Sequence, residues 1–218
     1  MERCRPPVDA SVNPASLADD ETWHGGYYEA AMVLGHCSHS TADARLRAAI
    51  GAIWSLPYID ACVADRRIDP SQQDAVVPST APLSRLGQLY GWLQHDRFGG
   101  LPFTSIVVRE LNRADGYDWL SVAIPLGGLG ETLPEVWAYP YSDEGCQSWR
   151  EPIDRCLADI ALAVADRVPF LVAAIGYEIC GVIDDGAFQG IFANPRRIAY
   201  VAPQTNGFHY LPANQWSW

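Results

Sequence analysis

Between residues 86 and 124 three segments of strand character follow one another with only short polar turns between them, which leaves the chain few ways to fold. Residues 86–94 put Gln88, Tyr90 and Trp92 on one face and Leu89 and Leu93 on the other, the period of two that a strand requires. Residues 103–111 continue with Ile106, Val107 and Val108, and residues 117–124 with Leu120, Val122 and Ile124. The turns fall at 96–100 and 112–116. Connections this short join antiparallel neighbours, because a parallel crossover needs a dozen residues or more. A central three-stranded meander is expected. Large apolar side chains occur on both of its faces, so the sheet should be covered on both sides or curled.

Two amphipathic helices flank further strands. Residues 27–34 alternate, with Tyr28, Ala30, Met32 and Leu34 on one side and Glu29 on the other, and residues 35–39 turn the chain. Ser40 is positioned to cap a helix with Asp43 in its first turn; Leu46, Ala49, Ile50, Ile53 and Trp54 form its apolar face and Pro57 stops it. Asp43 and Arg47 have the spacing of an ion pair across one turn. Residues 58–64 read as a short strand and 65–82 as a long polar loop. The second helix opens with the capping-box pair Ser148 and Glu151, and Pro152 is tolerated in a first turn. Ile153, Cys156, Leu157, Ile160, Ala161, Val164 and Val168 form its stripe, opposite Asp154, Asp159 and Asp166, and Pro169 ends it.

Residues 126–137 are interrupted by Gly and Pro and read as a loop with one helical turn. Residues 170–180 read as a buried central strand and 198–201 as a last one. Strands and helices do not alternate as in a doubly wound fold. The reading is a single α+β domain over residues 22–218, mainly antiparallel sheet with two principal helices, preceded by a flexible tail at 1–21.

Composition excludes whole chemistries. The 218 residues contain 26 Asp+Glu against 15 basic residues, and every basic residue is arginine. Without lysine there is no Schiff base and no P-loop or kinase-type lysine. The net charge of -11 argues against nucleic acid or an anionic membrane as partner. No apolar run approaches the roughly 20 residues of a membrane span. Six cysteines at 4, 37, 62, 146, 156 and 180 form no C-x-x-C pair, and residues 1–21 lack an apolar signal core. Reduced thiols and a cytoplasmic location are the expectation.

Two carboxylates sit in segments otherwise patterned for the core. Glu178 lies in the strand 170–180, and Asp118 shares a face with Leu120, Val122 and Ile124. A buried carboxylate shifts its proton affinity or finds a partner, so each is a candidate binding residue, with Arg109 on a neighbouring strand as the available partner. The plainer alternative is a strand end turning into solvent, or a structural ion pair. His24, His36, Cys37 and His39 are the densest metal-ligating group, but their spacing matches no zinc pattern, and whether they converge stays open. Cys146 precedes a helix but neighbours Asp143 and Glu144, which disfavour a thiolate. The run 127–130 is glycine-rich without the context of a dinucleotide loop. Asp184 and Asp185 form an acidic turn. Trp216 and Trp218 end the chain, either as a cover packed on the sheet or as contact residues.

G-x-S-x-G, H-E-x-x-H and the P-loop signature are all absent. The first functional reading is therefore a non-enzymatic acidic binding protein, of the immunity or inhibitor kind, masking a basic partner such as a toxin. Asp184, Asp185, Glu178, Asp118, Trp216 and Trp218 are its candidate binding residues, and no cofactor is implied. Two other readings stay open: a small hydrolase or transferase using Glu178 and Asp118 with a histidine, and a structural or assembly subunit. The oligomeric state is not readable from the sequence.

Overall fold

A computed structural model of the chain describes residues 15–133, 136, 149–180 and 198–213. A single helical turn, α1 (Ala15–Ala18), leads into β1 (Tyr27–His36) and α2 (Ala42–Trp54). Then come β2 (Ile59–Val63), β3 (Gln88–His95), β4 (Gly99–Arg109), β5 (Tyr117–Pro125) and α3 (Leu126–Thr132). The helix α4 (Arg150–Ala165) precedes β6 (Val172–Tyr177), β7 (Ala199–Gln204) and β8 (Gly207–Leu211). The eight strands form one sheet in the order β2-β3-β4-β5-β1-β6-β7-β8, with every neighbouring pair antiparallel. The architecture is α+β, and the meander is β3-β4-β5. The first strand closes the middle of the sheet, because β1 pairs with β5 on one side and β6 on the other.

Alternation decides what each face does. Tyr28, Ala30, Met32 and Leu34 of β1 join Leu120, Val122 and Ile124 of β5 in the main core. Onto this layer α2 buries Leu46, Ala49, Ile50 and Ile53, and α4 buries Ile153, Leu157, Ile160, Ala161 and Val164. Each such leucine or isoleucine contributes about 2 kcal/mol of burial, so this layer holds the fold together. The opposite face carries a smaller cluster of Ala31, Val33, Trp119, Val172, Ala174, Ile179, Tyr200 and Ala202. Both faces of the central strands are thus buried, as their apolar content requires.

Several local expectations are corrected. The first residue outside α2 is Thr41 rather than Ser40, and its side chain makes no capping hydrogen bond. Asp43 pairs with Arg109 Nη1 at 2.8 Å rather than with Arg47, whose guanidinium donates to the Ala81 carbonyl. Trp149 stands at the cap position of α4; Ser148 lies outside the described residues. Asp154 does not face solvent with Asp159 and Asp166 but is fully buried. Within the stretch assigned to the tail, Leu17 is fully buried, and its carbonyl accepts Trp23 Nε1–H at 2.9 Å, so packing begins before residue 22.

The segment from Leu126 to Thr132, expected to be a loop, is helical, and its glycines let it pack closely against its neighbours. A Cβ on Gly127 would stand 2.2 Å from the Glu21 carbonyl oxygen, and one on Gly128 2.7 Å from Pro102 Cγ. The final hairpin strand β8 was not anticipated, since its exposed alternation carries no apolar run.

Candidate functional site

The strand β1 sets the geography of the candidate residues. Glu178 N–H donates to the Tyr27 carbonyl at the start of β1, whereas Asp118 is registered with Gly35 near its end. At about 3.3 Å per residue, the two carboxylates are separated by roughly 26 Å of strand. They do not form one site. The histidines divide the same way. His24 stands beside the start of β1, where its Nδ1 bonds the Glu21 carbonyl, while His36, Cys37 and His39 lie at the far end. There His36 stacks on Tyr117 at 4.4 Å and His39 Nδ1 bonds Thr41 Oγ1 at 2.9 Å. Among the described residues no group of three or more His, Cys, Asp or Glu is placed to hold a metal ion.

Asp118 is the buried member of a charge chain. Its side chain is 0% exposed, and Arg109 Nε donates to Oδ1 at 2.8 Å from the neighbouring strand. Arg45 of α2 approaches Oδ2 at 3.5 Å and also donates to the His36 carbonyl at 2.8 Å. Arg109 continues to Asp43. Two cations and two carboxylates therefore tie α2 to β4, β5 and the end of β1, the structural ion pair weighed as the plainer alternative.

Glu178 is exposed, which corrects its reading as a core carboxylate. The strand ends at Tyr177, and Glu178 adopts φ +44°, so its side chain leaves the sheet. A Cβ on Gly26 would stand 2.4 Å from Glu178 Oε1, so the carboxylate rests on the Gly25-Gly26 turn. A left-handed conformation in a residue other than glycine costs about 1–2 kcal/mol. Asp184, Asp185, Trp216 and Trp218 lie outside the described residues.

The structure adds two buried carboxylates that the alternation only hinted at. Glu29, on the side of β1 away from the helices, is 4% exposed. It accepts the Ser121 hydroxyl on one oxygen and the Cys180 N–H, at 2.9 Å, on the other. Burial, followed by Glu29 and then Glu110, pushes the Cys180 thiol up to about 11, which disfavours the thiolate. Asp154, on α4, accepts the Tyr28 hydroxyl at 2.5 Å, and Arg150 Nε–H donates to that same tyrosine oxygen at 2.9 Å. Burial drives the Asp154 carboxyl up to about 7, against the opposing pull of Arg150 and of the Tyr28 hydrogen bond. Tyr28 in turn is held well above its usual range by burial and by the Asp154 charge. The spacing of Arg150 and Asp154, four apart on one helix, was the available signal for this cluster.

Near the start of β1 the surface turns acidic and aromatic. Arg66 donates to the Asp20 carboxylate and Arg67 approaches it at 3.6 Å, so the loop after β2 sits on the segment after α1. Arg66, by its hydrogen bond, and then the Arg67 charge hold the Asp20 carboxyl below its usual range. Around this contact Asp19, Asp20, Glu21, Asp65, Asp69 and Asp74 are exposed. Trp23 meets Tyr90 edge-on at 5.1 Å, and Arg66 lies 5.4 Å over the Trp23 ring. Trp23, Tyr27 and Tyr90 are each half-buried.

The charge distribution is the larger pattern. Among the described residues fifteen carboxylate side chains are exposed against six arginines. The half-buried Arg45, Arg47, Arg66 and Arg109 and the buried Arg150 all bond acceptors within the chain. No helix among the described residues is long and apolar enough to cross a membrane. No protein family, curated protein or solved structure matches the chain.

Proposed function

We propose that this chain is a non-enzymatic binding protein whose acidic exterior docks a basic protein partner, in the manner of an immunity or inhibitor protein. The observation that carries the reading is the surface balance of charge: among the described residues fifteen carboxylates are exposed against six arginines, while the other five arginines bond acceptors within the chain. Such an exterior speeds encounter with a positive surface and repels like-charged competitors. The contact region we favour is the face around Trp23, Tyr27 and Tyr90, rimmed by Asp19, Asp20, Glu21 and Asp65. Half-buried aromatics give anchoring area at little entropic cost, and the carboxylates around them give orientation.

The test is affinity capture from an extract of the source cells at low salt, with wild type and the variant W23A/D19N/E21Q/D65N as parallel baits. A protein of basic isoelectric point held by wild type and lost from the variant supports the reading. Equal retention by both baits, or retention of acidic proteins only, counts against it.

A further inference from the structure

We propose that Asp154 is a proton-controlled latch for the edge strand β8: neutral, it lets the strand seat against α4, and ionised, it draws water into that contact and loosens the strand. The geometry begins with two incomplete polar groups. Asp154 Oδ1 accepts the Tyr28 hydroxyl, but Oδ2 is buried with no hydrogen-bond partner among the described residues. The Tyr210 hydroxyl of β8 is likewise buried and without a described hydrogen-bond partner. Arg150 delivers its Nε–H to the Tyr28 oxygen, so that one hydroxyl bonds both the cation and the carboxylate.

A carboxylate with one bare oxygen in an apolar setting is costly, and the neutral acid removes the charge that makes it so. Burial keeps the proton on this group to about pH 7, with Arg150 and the Tyr28 hydrogen bond opposing and Glu151 adding to the effect. Tyr210 is raised by burial first and by the Asp154 charge second. Arg155 of α4 lies 6.0 Å over the Tyr210 ring. The core residues that β6 and β7 present are Ala173, Ile175, Ala199 and Val201, none of them titratable, and those of α2 are apolar as well. The described charges that act on Asp154 and Tyr210, besides the two groups themselves, are Arg150, Glu151 and Arg155, all on α4.

The strand β8 is the element free to yield. Among the described strands it lies at the end of the sheet order and pairs with β7 alone, and its residues are exposed or only half-buried. β1 by contrast is held by β5 and β6, and α4 is anchored by its whole apolar stripe. Water reaching Asp154 Oδ2 thus has its least costly entry where Tyr210 lifts away.

Hydrogen exchange of the β8 amides tests the latch, run from pH 5.5 to 8.5 and corrected for the intrinsic rate, on wild type and Asp154→Asn. The expected result is protection that falls about tenfold per pH unit from 5.5 towards 7 and levels off above it in wild type, and that stays level throughout in the variant. Equal slopes in the two proteins, or no slope in wild type, overturn the proposal. Should Asp154→Asn fail to fold, the carboxyl ¹³C shift of Asp154 in wild type decides. A midpoint near 7 moving together with the Tyr210 ring signals supports the latch, and a midpoint below 5 or unmoved Tyr210 signals overturns it.

Discussion

Arg109 and Asp118 stand opposite one another on adjacent strands, with Arg109 Nε 2.8 Å from an Asp118 oxygen that has no exposure to solvent. Removing one partner strands the other charge in the interior, which costs far more than the pair itself contributes. Asp118→Ala is expected to destabilise the fold by about 3 kcal/mol in urea unfolding, leaving Arg45 and Arg109 facing each other without their shared carboxylate. A change below about 1 kcal/mol would mean that water already screens the pair.

The buried Asp154 carboxyl makes stability depend on pH in an unusual sense. Its folded value is raised from 3.8 to about 7, so the folded state holds a proton that the unfolded state has released. Its contribution to stability is therefore full below about pH 4 and is lost as pH rises through 7, at roughly 1 kcal/mol per unit. Asp154→Asn should flatten the dependence and leave the variant more stable than wild type at pH 8. Thermal melts of both proteins between pH 4 and 9 measure this directly, and parallel curves would remove Asp154 as the cause.

Gly91 is a point where only a hydrogen fits. A Cβ there would stand 2.2 Å from the Ala61 carbonyl oxygen and 2.3 Å from that of Asp60, both of them backbone atoms of β2. Gly91→Ala should push β2 off the sheet edge and destabilise by about 2 kcal/mol. Cys62 reports the displacement. Burial now pushes its thiol up to about 12, and a displaced β2 would let a thiol reagent react several-fold faster at pH 8. Unchanged labelling would show that the edge absorbs the methyl group by other means.

Glu178 adopts a backbone conformation better suited to glycine, at φ +44°. Glu178→Gly should raise stability by up to about 1 kcal/mol, read as a higher Tm. A lower Tm would assign the carboxylate a structural role on the Gly25-Gly26 turn that outweighs the strain.

How far the amino-acid order foretells this molecule depends on whether a signal is local. The β1 alternation of Tyr28, Ala30, Met32 and Leu34 and the α4 stripe are properties of single segments, and both faces are where the pattern puts them. The meander followed from the strand alternation and the short turns between the strands. Asp154 was misplaced because a helical wheel sees one helix. What buries it is the Tyr28 hydroxyl, 126 positions away, and the arginine one turn back. Glu178 was misplaced for the opposite reason: an apolar run implied burial past Tyr177, where a single left-handed residue turns the chain outward. The strand β8 escaped because Gly207–Leu211 is too short an alternation, Phe208 and Tyr210 about His209, to stand out in sequence. The arginines as a set were legible in number but not in direction, since only folding decides which of them turn inward.

The division of charge is the central claim, and its most direct test is the association rate with the captured partner, measured from about 25 to 500 mM salt. Steering by the acidic exterior predicts an association rate that falls by more than about tenfold across that range while dissociation changes little. An association rate indifferent to salt would contradict the account, because the exposed carboxylates would then take no part in recognition.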